Sequence, residues 1–469
     1  MPSATSLLMT TRHRLALGAI VCGGTLLRAL AIPAGLDGTD PVNFALSLER
    51  FDLALHQPHF PGYPLYVLAV RAAGLLIRDP VWVLSLPALL AGIVMILSVH
   101  HALRYRYNAQ VALWGAVLLA AHPVLVEVGG APLSDGLALG LVAVSFSCIA
   151  IGRFPTAGLV MAAALGVRPS FAPLGLGLLL CVAWCEPKRL RATGPALFIG
   201  VVAWLAPLVW LVGPADFFRL GWEHVTGHFG RFGGAVSTVG ATSLLDRILE
   251  LGASTFAGWQ LLLPLGLLGI VLWRRERIAD TYRSRWILPV GLAVAPYAVW
   301  VLLAQSTAHS RHAAPLALFA IVTFAPLAAF LARMGEKRLA PAALVAGVFV
   351  ALAATLTGPV AHAQRASDRL RLARYIASTR GRERLLFLGT HTPRVAAYYA
   401  PGLRTGRVDT GSDVARIVSS LDGVEVLVSS EIPALAAAAL ELEPLARFDS
   451  LTLFTARPRR LATLLETNP

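Results

Sequence analysis

The stretch DGTDPVNFALSLERFDLALHQPHFPGYPLY runs from Asp37 to Tyr66, directly after the first long apolar run of the chain. It brings carboxylates and histidines to the end of a segment that is long enough to cross a membrane. Ionisable groups beside hydrocarbon are costly, and proteins keep them there mainly for function. The stretch therefore indicates chemistry at a lipid surface.

The composition of the whole chain indicates a membrane protein. Of 469 residues, 56% are hydrophobic and 14% are charged, whereas soluble domains carry about 25% charged residues. A helix needs about 20 mostly apolar residues to cross the hydrocarbon core, and roughly eleven or twelve such runs precede residue 360. The sequence therefore predicts a polytopic α-helical membrane protein.

Charge and cysteine content argue against two other classes of function. The net charge is +14, but the basic residues lie mostly in short loops, and no basic stripe with interleaved aromatics is available to bind nucleic acid. The cysteines lie inside apolar runs without acids or histidines at ligand spacing, which predicts no exported disulfide framework and no cysteine-based metal site. They are Cys22, Cys148, Cys181 and Cys185.

Basic residues between the apolar runs predict the orientation of the chain. If every run crossed the membrane, Arg104 and Arg106 would lie on the same side as the acidic stretch, although basic residues are enriched in cytoplasmic loops. The run 61–78 is short, begins with prolines and carries Arg71 and Arg78. We therefore expect it to lie in the membrane plane or to re-enter, with the N-terminus in the cytoplasm and the acidic stretch outside.

Two domains are expected. Residues 1–360 form the membrane domain, with an exported first loop at 33–60 and a long exported loop at 214–255. Residues 361–469 form a small α/β domain, because short strand-like runs alternate with amphipathic helices there. Long domains translocate largely regardless of charge, so we expect this one to be exported despite its arginines.

The α/β domain carries no recognisable phosphate-binding motif. Strands are expected at 385–388 and 424–429, with an alanine-rich helix after the second strand. The turn from Gly389 to His391 follows the first strand as a nucleotide-binding turn would, but no GxGxxG or Walker pattern accompanies it. A noncatalytic domain is therefore predicted.

Asp40 is the acid in the opening stretch that is best placed for catalysis. Pro41 follows it, and Phe44, Leu48 and Phe51 then recur on one face of an amphipathic interfacial helix. An acid before a proline at the first helical position is also a common N-cap. Both roles need a fixed, partly shielded carboxylate, and the sequence leaves both open.

The element HQPHFPGYPLY, from His56 to Tyr66, has a proline-rich backbone that is expected to be rigid and non-helical until about Pro64. Rigid loops position side chains for binding. Of the two histidines, His59 is better placed to contact an acceptor or a phosphate. For His56, a role in shaping the turn is an equally good explanation.

These two motifs resemble a known family of membrane enzymes. The pattern DPVNFA followed by HFPGYPLY is similar to the first exported loop of the GT-C membrane glycosyltransferases, close to glycosyltransferase family 39 with its protein O-mannosyltransferases and aminoarabinose transferases. It also resembles related bacterial membrane proteins with a His-Pro-Pro-Gly-Tyr-Pro-Leu-Tyr signature. Phe60 departs from that signature, and Pro41 stands where many relatives have an acid, which weakens an inference of metal binding by paired acids.

Three later motifs resemble the same family in the same order. Ser134-Asp135 is similar to its second acidic position, Gly166–Ser170 to its Arg-Pro turn, and Ser310–Leu316 to its late Arg-aromatic-x-x-Pro-Leu element. Asp135 could instead cap a helix, and Arg168 could anchor a helix end. The resemblance covers most of the membrane domain and none of the C-terminal domain.

The resemblance implies a GT-C-like fold and the transfer of a hexose or pentose from a polyprenyl-phosphate donor to an acceptor at the exported membrane face. Asp40 would act as general base or orient the acceptor hydroxyl. Arg168 and Arg311 would bind the departing phosphate, because a guanidinium offers two donors at once. The other expected contacts are Asp37, Asn43, His59, Tyr63 and Asp135 with substrate or acceptor, and His309 with phosphate.

The sequence predicts no metal site and requires no cofactor. His224 and His228 share a helical face near Glu223, but no third ligand is in register, so this part of the long loop is expected to face the acceptor instead. A divalent metal is possible, but the spacing of the candidate ligands does not support one.

The alternative function is a transporter or flippase for a lipid-linked or small polar substrate. That class predicts ionisable groups near the middle of several spans, whereas here nearly all lie near the ends. The expected partners are the sugar donor, membrane lipid and an acceptor that is a glycan, a lipid or a protein. The expected location is the bacterial plasma (inner) membrane, where the enzyme would serve the cell envelope.

Overall fold

A computed structural model describes residues 9–238, 240–256, 287–333, 339–379, 384–421 and 424–458. Contacts within the chain divide it into two units. The membrane unit comprises Met1–Pro33 and Ser47–Gln364, and the α/β unit comprises Ala34–Leu46 and Arg365–Pro469. The sequence placed residues 34–46 in a loop of the membrane domain, but they group with the C-terminal part of the chain.

The membrane unit consists mainly of helices joined by short turns. The second helix, α2, begins in the α/β unit and ends in the membrane unit. The helices are α1 (Thr11–Leu30), α2 (Thr39–Glu49), α3 (Pro64–Gly74), α4 (Pro80–Arg106), α5 (Ala109–Ala121), α6 (Pro123–Gly130), α7 (Ser134–Ala150), α8 (Phe154–Val167), α9 (Ala172–Cys185), α10 (Leu190–Val212), α11 (Pro214–Gly227), α12 (Leu244–Phe256), α13 (Ile287–Ala304), α14 (Ala314–Arg333) and α15 (Leu339–Thr355).

Within the described ranges, two helices are long and apolar enough to cross a membrane alone: Pro80–Arg106, and Pro187–Val212, which includes a short turn before α10. The pair α5 and α6 also qualifies but is bent by 63°. α3 has 11 residues and is therefore about 16 Å long, roughly half the thickness of the hydrocarbon core. This length suits an in-plane or re-entrant course for 61–78, which stays a prediction.

The bend between α5 and α6 has a local cause. Pro123 opens α6, and the residue before a proline is disfavoured in the helical conformation. His122 accordingly adopts an extended backbone with φ −72° and ψ 120°. The bend separates Glu127 from the axis of α5, so that this acid lies on a short helix of its own.

The α/β unit contains a partly parallel sheet of five strands in the order β2-β1-β3-β5-β4. β1 pairs in parallel with β2 and β3, while β5 is antiparallel to β3 and to β4. Leu388, Val414 and Val428 belong to its buried core. The elements are α16 (Asp368–Ser378), β1 (Leu385–Gly389), α17 (Thr392–Tyr399), β2 (Arg404–Arg407), α18 (Gly411–Ser420), β3 (Glu425–Ser429), β4 (Leu440–Arg447) and β5 (Thr452–Pro458).

The prediction of an alanine-rich helix after β3 is wrong. Ala434 adopts a left-handed backbone with φ 53°, which a continuing α-helix cannot contain. Only a short helical turn, Leu435–Ala437, follows, and the chain then enters β4. Pairing with β5 overrides the helix propensity of the alanines, because tertiary contacts outweigh propensities of a fraction of a kcal/mol per residue.

Candidate active site

A buried ion pair joins the start of α7 to the end of α8. Arg168 Nη1 lies 2.9 Å from Asp135 Oδ2, and the side chains are 10% and 2% exposed. The same nitrogen donates to Ser134 Oγ at 3.1 Å. Arg168 ends α8 with an extended backbone, because Pro169 follows it. The fold thus brings together Asp135 and Arg168, which belong to separate sequence motifs.

Aromatic rings adjoin the Arg168 guanidinium. Its Cζ lies 5.7 Å from the ring centroid of Phe171, and Phe171 packs edge-on against Tyr297 with centroids 5.4 Å apart. A ring face attracts a cation, and burial strengthens charge interactions because water no longer screens them. The guanidinium is therefore held in a setting suited to binding an anion.

Glu127 is hydrogen-bonded to the late arginine motif, Ser310–Leu316. Ser310 Oγ lies 2.9 Å and 2.8 Å from the two carboxylate oxygens of Glu127 and donates its hydroxyl proton to the carboxylate. Arg311 follows Ser310 directly, and its charge interacts with that of Glu127. Asp135 also lies within electrostatic reach of Glu127. We call Glu127, Asp135, Arg168 and Arg311 the acid-arginine cluster.

Two further hydrogen bonds shape the loop that carries Arg311. His312 Nδ1 lies 2.7 Å from Ser306 O, so Nδ1 is the nitrogen that carries the proton, since a carbonyl only accepts. Tyr297 OH donates to His312 O at 3.2 Å. The ring of His309 lies 5.7 Å from that of His312, which places the predicted phosphate contact His309 on the same loop.

Glu127, Tyr297 and His312 were not among the predicted site residues. A signal for Glu127 existed, because it is the one carboxylate in the apolar run PVLVEVGG, and ionisable groups within such runs are functional by default. His312 stands at the aromatic position of the Ser310–Leu316 motif, whereas Tyr297 carried no comparable signal, since its role depends on contacts between separate segments.

His59 and Tyr63, both in the membrane unit, lie side by side. His59 Nε2 and Tyr63 OH are 2.9 Å apart, and Tyr63 is buried with a left-handed backbone at φ 48°. Such a conformation is rare for a bulky residue and is held by surrounding structure. Phe60, the departure from the family signature, packs between Phe217 and His224.

His224 and His228 are stacked, with ring centroids 6.1 Å apart. His228 Nε2 lies 2.6 Å from Ala304 O, which anchors this ring to the end of α13. Within the described ranges, no group of three or more His, Cys, Asp or Glu residues is arranged to hold a metal ion.

The other predicted residues lie in the α/β unit. Asp37 and Asp40 are partly exposed, whereas Asn43 is buried and its Oδ1 accepts a hydrogen bond from Arg394 Nε at 2.9 Å. Asp37 and Asp40 precede Asn43 by six and three residues, respectively, on a segment that belongs to the α/β unit. The predicted site residues are thus distributed over both units.

Asp40 is not the N-cap of α2. The helix begins at Thr39, and Val42 N donates to Gly38 O at 3.2 Å, so Gly38 supplies the first carbonyl. Asp40 lies in the first turn, where the positive end of the helix dipole still favours a carboxylate. Asp40 therefore lies inside the first turn and not at the N-cap position that the sequence also offered.

The turn after β1, which resembles a nucleotide-binding turn, is filled by the protein's own carboxylate. Glu431 Oε1 accepts hydrogen bonds from the backbone N–H groups of Thr390, His391 and Thr392 at 2.6, 2.7 and 2.9 Å. Thr392 Oγ1 donates to Glu431 Oε2 at 2.9 Å. The carboxylate takes the place where a helix N-terminus would bind a phosphate, so this turn is occupied by a side chain of the protein itself.

Comparison with protein families and with curated protein sequences finds no match. Solved structures do match. The crystal structure of ArnT from Cupriavidus metallidurans bound to undecaprenyl phosphate aligns with a TM-score of 0.60 at 14% identity, covering 96% of this chain and 98% of that one. The apo form aligns with a TM-score of 0.62 at 14% identity, covering 95% and 98% of the two chains.

A second similar structure is the oligosaccharyltransferase AglB from Archaeoglobus fulgidus in complex with an inhibitory peptide and a dolichol-phosphate. It aligns with a TM-score of 0.53 at 13% identity, covering 89% of this chain and 69% of that one. ArnT and AglB are both GT-C membrane proteins. The chain has the GT-C fold. This confirms the predicted fold class, an integral, polytopic α-helical membrane protein with a small C-terminal α/β domain.

Within the GT-C fold, the acid-arginine cluster gathers Asp135, Arg168 and Arg311 from three sequence motifs into one unit. The fold by itself assigns no chemistry, since one fold hosts many functions.

Proposed function

We propose that this protein is a membrane glycosyltransferase that moves a hexose or pentose from a polyprenyl-phosphate donor to an acceptor at the exported face. The observation that carries the proposal is the buried Arg168–Asp135 pair; Arg311 directly follows Ser310, whose hydroxyl is bonded to Glu127. Support comes from ArnT and AglB, whose structures hold undecaprenyl phosphate and dolichol-phosphate.

The cluster suits a leaving phosphate. As the acceptor oxygen bonds to the anomeric carbon, the bond from that carbon to phosphate breaks and the electron pair stays on the phosphate oxygen. Arg168 and Arg311 would stabilise this charge, because guanidinium donors aimed at a developing anion act most strongly in a water-poor site. Asp135 and Glu127 keep these cationic segments in place before the donor binds.

Asp40 would receive the proton of the acceptor hydroxyl. A general base must carry a carboxylate that is accessible to the acceptor, and Asp40 is partly exposed in the first turn of α2. His59, Tyr63, Asp37 and Asn43 remain the proposed contacts to donor sugar or acceptor, and His309 the further phosphate contact.

The first experiment identifies the product. Envelope glycans and glycolipids of cells with and without the protein are compared by mass spectrometry, and a sugar that is present only with the protein defines both the donor and the acceptor class. Identical profiles in both cells would contradict a transferase function.

The second experiment assigns Asp40. Asp40→Asn is expected to reduce transfer of that sugar at least about a hundredfold, as loss of a general base does, while binding of undecaprenyl phosphate to the purified chain is unchanged. Glu49→Gln, an exposed acid further along α2, serves as control and should transfer normally. Normal transfer by Asp40→Asn would remove Asp40 from the mechanism.

A transporter or flippase remains the second candidate because of Arg28. This side chain is fully buried in α1, and it donates to Gly24 O at 2.8 Å and to Leu119 O at 3.0 Å. A buried intramembrane cation is a feature of transport pathways. Retained substrate uptake into vesicles by the Asp40→Asn variant, without any glycan product, would favour this candidate.

A further inference from the structure

The segment 34–46 is embedded in the α/β unit. Leu36 and Val42 are fully buried and Phe44 is 1% exposed. Gly35 packs so closely that a Cβ there would lie 2.7 Å from Leu370 Cδ2. The part of this segment before Thr39 has no helix or strand of its own, so its conformation depends on contacts with the rest of the unit.

Three side chains of the α/β unit make those contacts by hydrogen bonds. Leu36 N donates to Tyr399 OH at 2.8 Å, Arg394 Nε donates to Asn43 Oδ1 at 2.9 Å, and Arg374 Nη2 donates to Ala34 O at 3.1 Å. Tyr399 and Arg394 both belong to α17. One helix of eight residues therefore supplies two of the three bonds.

These bonds bracket the acids. Leu36 directly precedes Asp37, and Asn43 follows Asp40 by three residues on α2, a spacing that places both side chains on one side of the helix. Asn43 is buried, and an amide oxygen buried without its donor is unfavourable. The segment that carries Asp37 and Asp40 is thus hydrogen-bonded to α17 at both of its ends.

We propose that Arg394 and Tyr399 are positioning residues for Asp40, and that the α/β unit serves to hold the catalytic segment in its working conformation. The proposal rests on the proposed function, because it assumes that Asp40 acts in transfer. Catalytic groups must be placed to within a fraction of an ångström, and such placement requires support from surrounding side chains.

The test compares single-atom and whole-side-chain changes in the full chain. Tyr399→Phe removes only the oxygen that accepts from Leu36 N, and Arg394→Ala removes the donor to Asn43. Tyr375→Phe, a partly exposed tyrosine on α16, and Arg416→Ala, an exposed arginine on α18, are the matched controls. Each variant is measured for kcat and KM of transfer, for undecaprenyl phosphate binding, and for hydrogen exchange of residues 36–46.

We expect Tyr399→Phe and Arg394→Ala each to lower kcat about ten- to a hundredfold, since a misplacement of about 1 Å costs a reacting group up to about a hundredfold in rate. KM and undecaprenyl phosphate binding should stay at wild-type values, exchange at Leu36 should rise in Tyr399→Phe, and Arg394→Lys should restore part of kcat.

Wild-type kcat in both variants, with transfer abolished by Asp40→Asn, overturns the positioning proposal and leaves the proposed function standing. Faster exchange of residues 36–46 with wild-type kcat overturns it as well. Normal transfer by Asp40→Asn overturns the role of Asp40 itself, and the positioning proposal with it.

Discussion

At the scale of single residues, the Arg168–Asp135 pair is the feature with the largest energetic consequences. Both side chains are almost completely buried, and taking two charges out of water offsets much of their attraction. Apolar residues of similar volume stabilise such positions equally well or better. The pair is therefore poorly explained by stability alone, which favours a role in binding an anionic substrate.

This argument predicts different effects on stability and on transfer. Arg168→Leu leaves a buried carboxylate without its cation and should cost about 3–5 kcal/mol of unfolding free energy. Asp135→Leu combined with Arg168→Leu should recover most of that stability but no transfer. Thermal unfolding of the detergent-solubilised chain and the glycan assay provide the two measurements. Wild-type transfer by the double variant would show that the pair is structural only.

At the scale of secondary-structure elements, buried or constrained helix ends carry the polar chemistry of this chain. Arg168 ends α8, Asp135 opens α7, Asp40 lies in the first turn of α2, and Glu431 accepts from the first N–H groups around α17. Helix ends leave backbone groups without intrahelical partners and carry partial charges. Acidic and arginine side chains are accordingly stabilised most at helix ends.

The start of α17 offers a direct test of this view. Glu431→Ala removes the carboxylate that accepts three backbone N–H bonds and should cost about 1–3 kcal/mol, the usual penalty for losing bonds to a charged group. Hydrogen exchange at residues 390–392 should rise, less so in Glu431→Gln, whose neutral amide oxygen accepts more weakly. Glu441→Ala on β4, an exposed acid, should change nothing. Unchanged exchange in Glu431→Ala would contradict the capping role.

The start of α16 predicts a dependence on pH. The pKa of Asp368 is lowered to about 2, mainly by the hydrogen bond from Ser450 and also by Arg371. Because the folded pKa lies below the unfolded value of about 3.9, this carboxylate stabilises the fold above about pH 4 and loses that contribution as the pH falls towards about 2.

Unfolding of the α/β unit, followed by hydrogen exchange in the full chain, should therefore show wild type more stable than Asp368→Asn at pH 7. The difference should shrink steadily as the pH falls from about 4 to about 2, because Asp368 becomes protonated over this range in the unfolded and then in the folded state. Asp409→Asn, an exposed acid paired with Arg407 at 3.4 Å, is the control. A difference between wild type and Asp368→Asn that is undiminished at pH 2 would contradict this assignment.

At the scale of the whole molecule, the orientation of the helices rests on the non-crossing run 61–78. α3 is too short to cross the hydrocarbon core as a straight helix, and α4, which follows it, is long enough. If α3 does not cross, α4 carries the chain from the exported side to the cytoplasm. The basic end of α4, with Arg104 and Arg106, then satisfies the positive-inside rule.

A reporter fused after residue 107 tests this orientation. Cytoplasmic activity is expected, together with exported activity for a second reporter fused after residue 60. A fusion after residue 213, just beyond α10, should also report the exported side. Exported activity after residue 107 would show that 61–78 crosses, and the assignment of loops to the exported face would then be inverted from that point onward.

Local patterns in the sequence were sufficient for the class of fold. The length of apolar runs encodes membrane helices, and alternation of strand-like and amphipathic segments encodes the α/β unit, because both depend on neighbouring residues alone. The order of the motifs around Asp40, Asp135, Arg168 and Arg311 was also readable from the sequence. The alanine-rich helix failed because pairing with β5 lies outside such local patterns.

Only the tertiary structure decided which distant residues meet. Ser310 reaches Glu127 across 183 residues, and Arg394 reaches Asn43 across 351. Such contacts depend on how whole elements pack, and composition or periodicity along the chain does not encode that directly. The sequence by itself determined a polytopic membrane protein with acids and arginines in ordered motifs. The packing of its elements decided that Arg168 pairs with Asp135 and that the Asp40 segment belongs to the α/β unit.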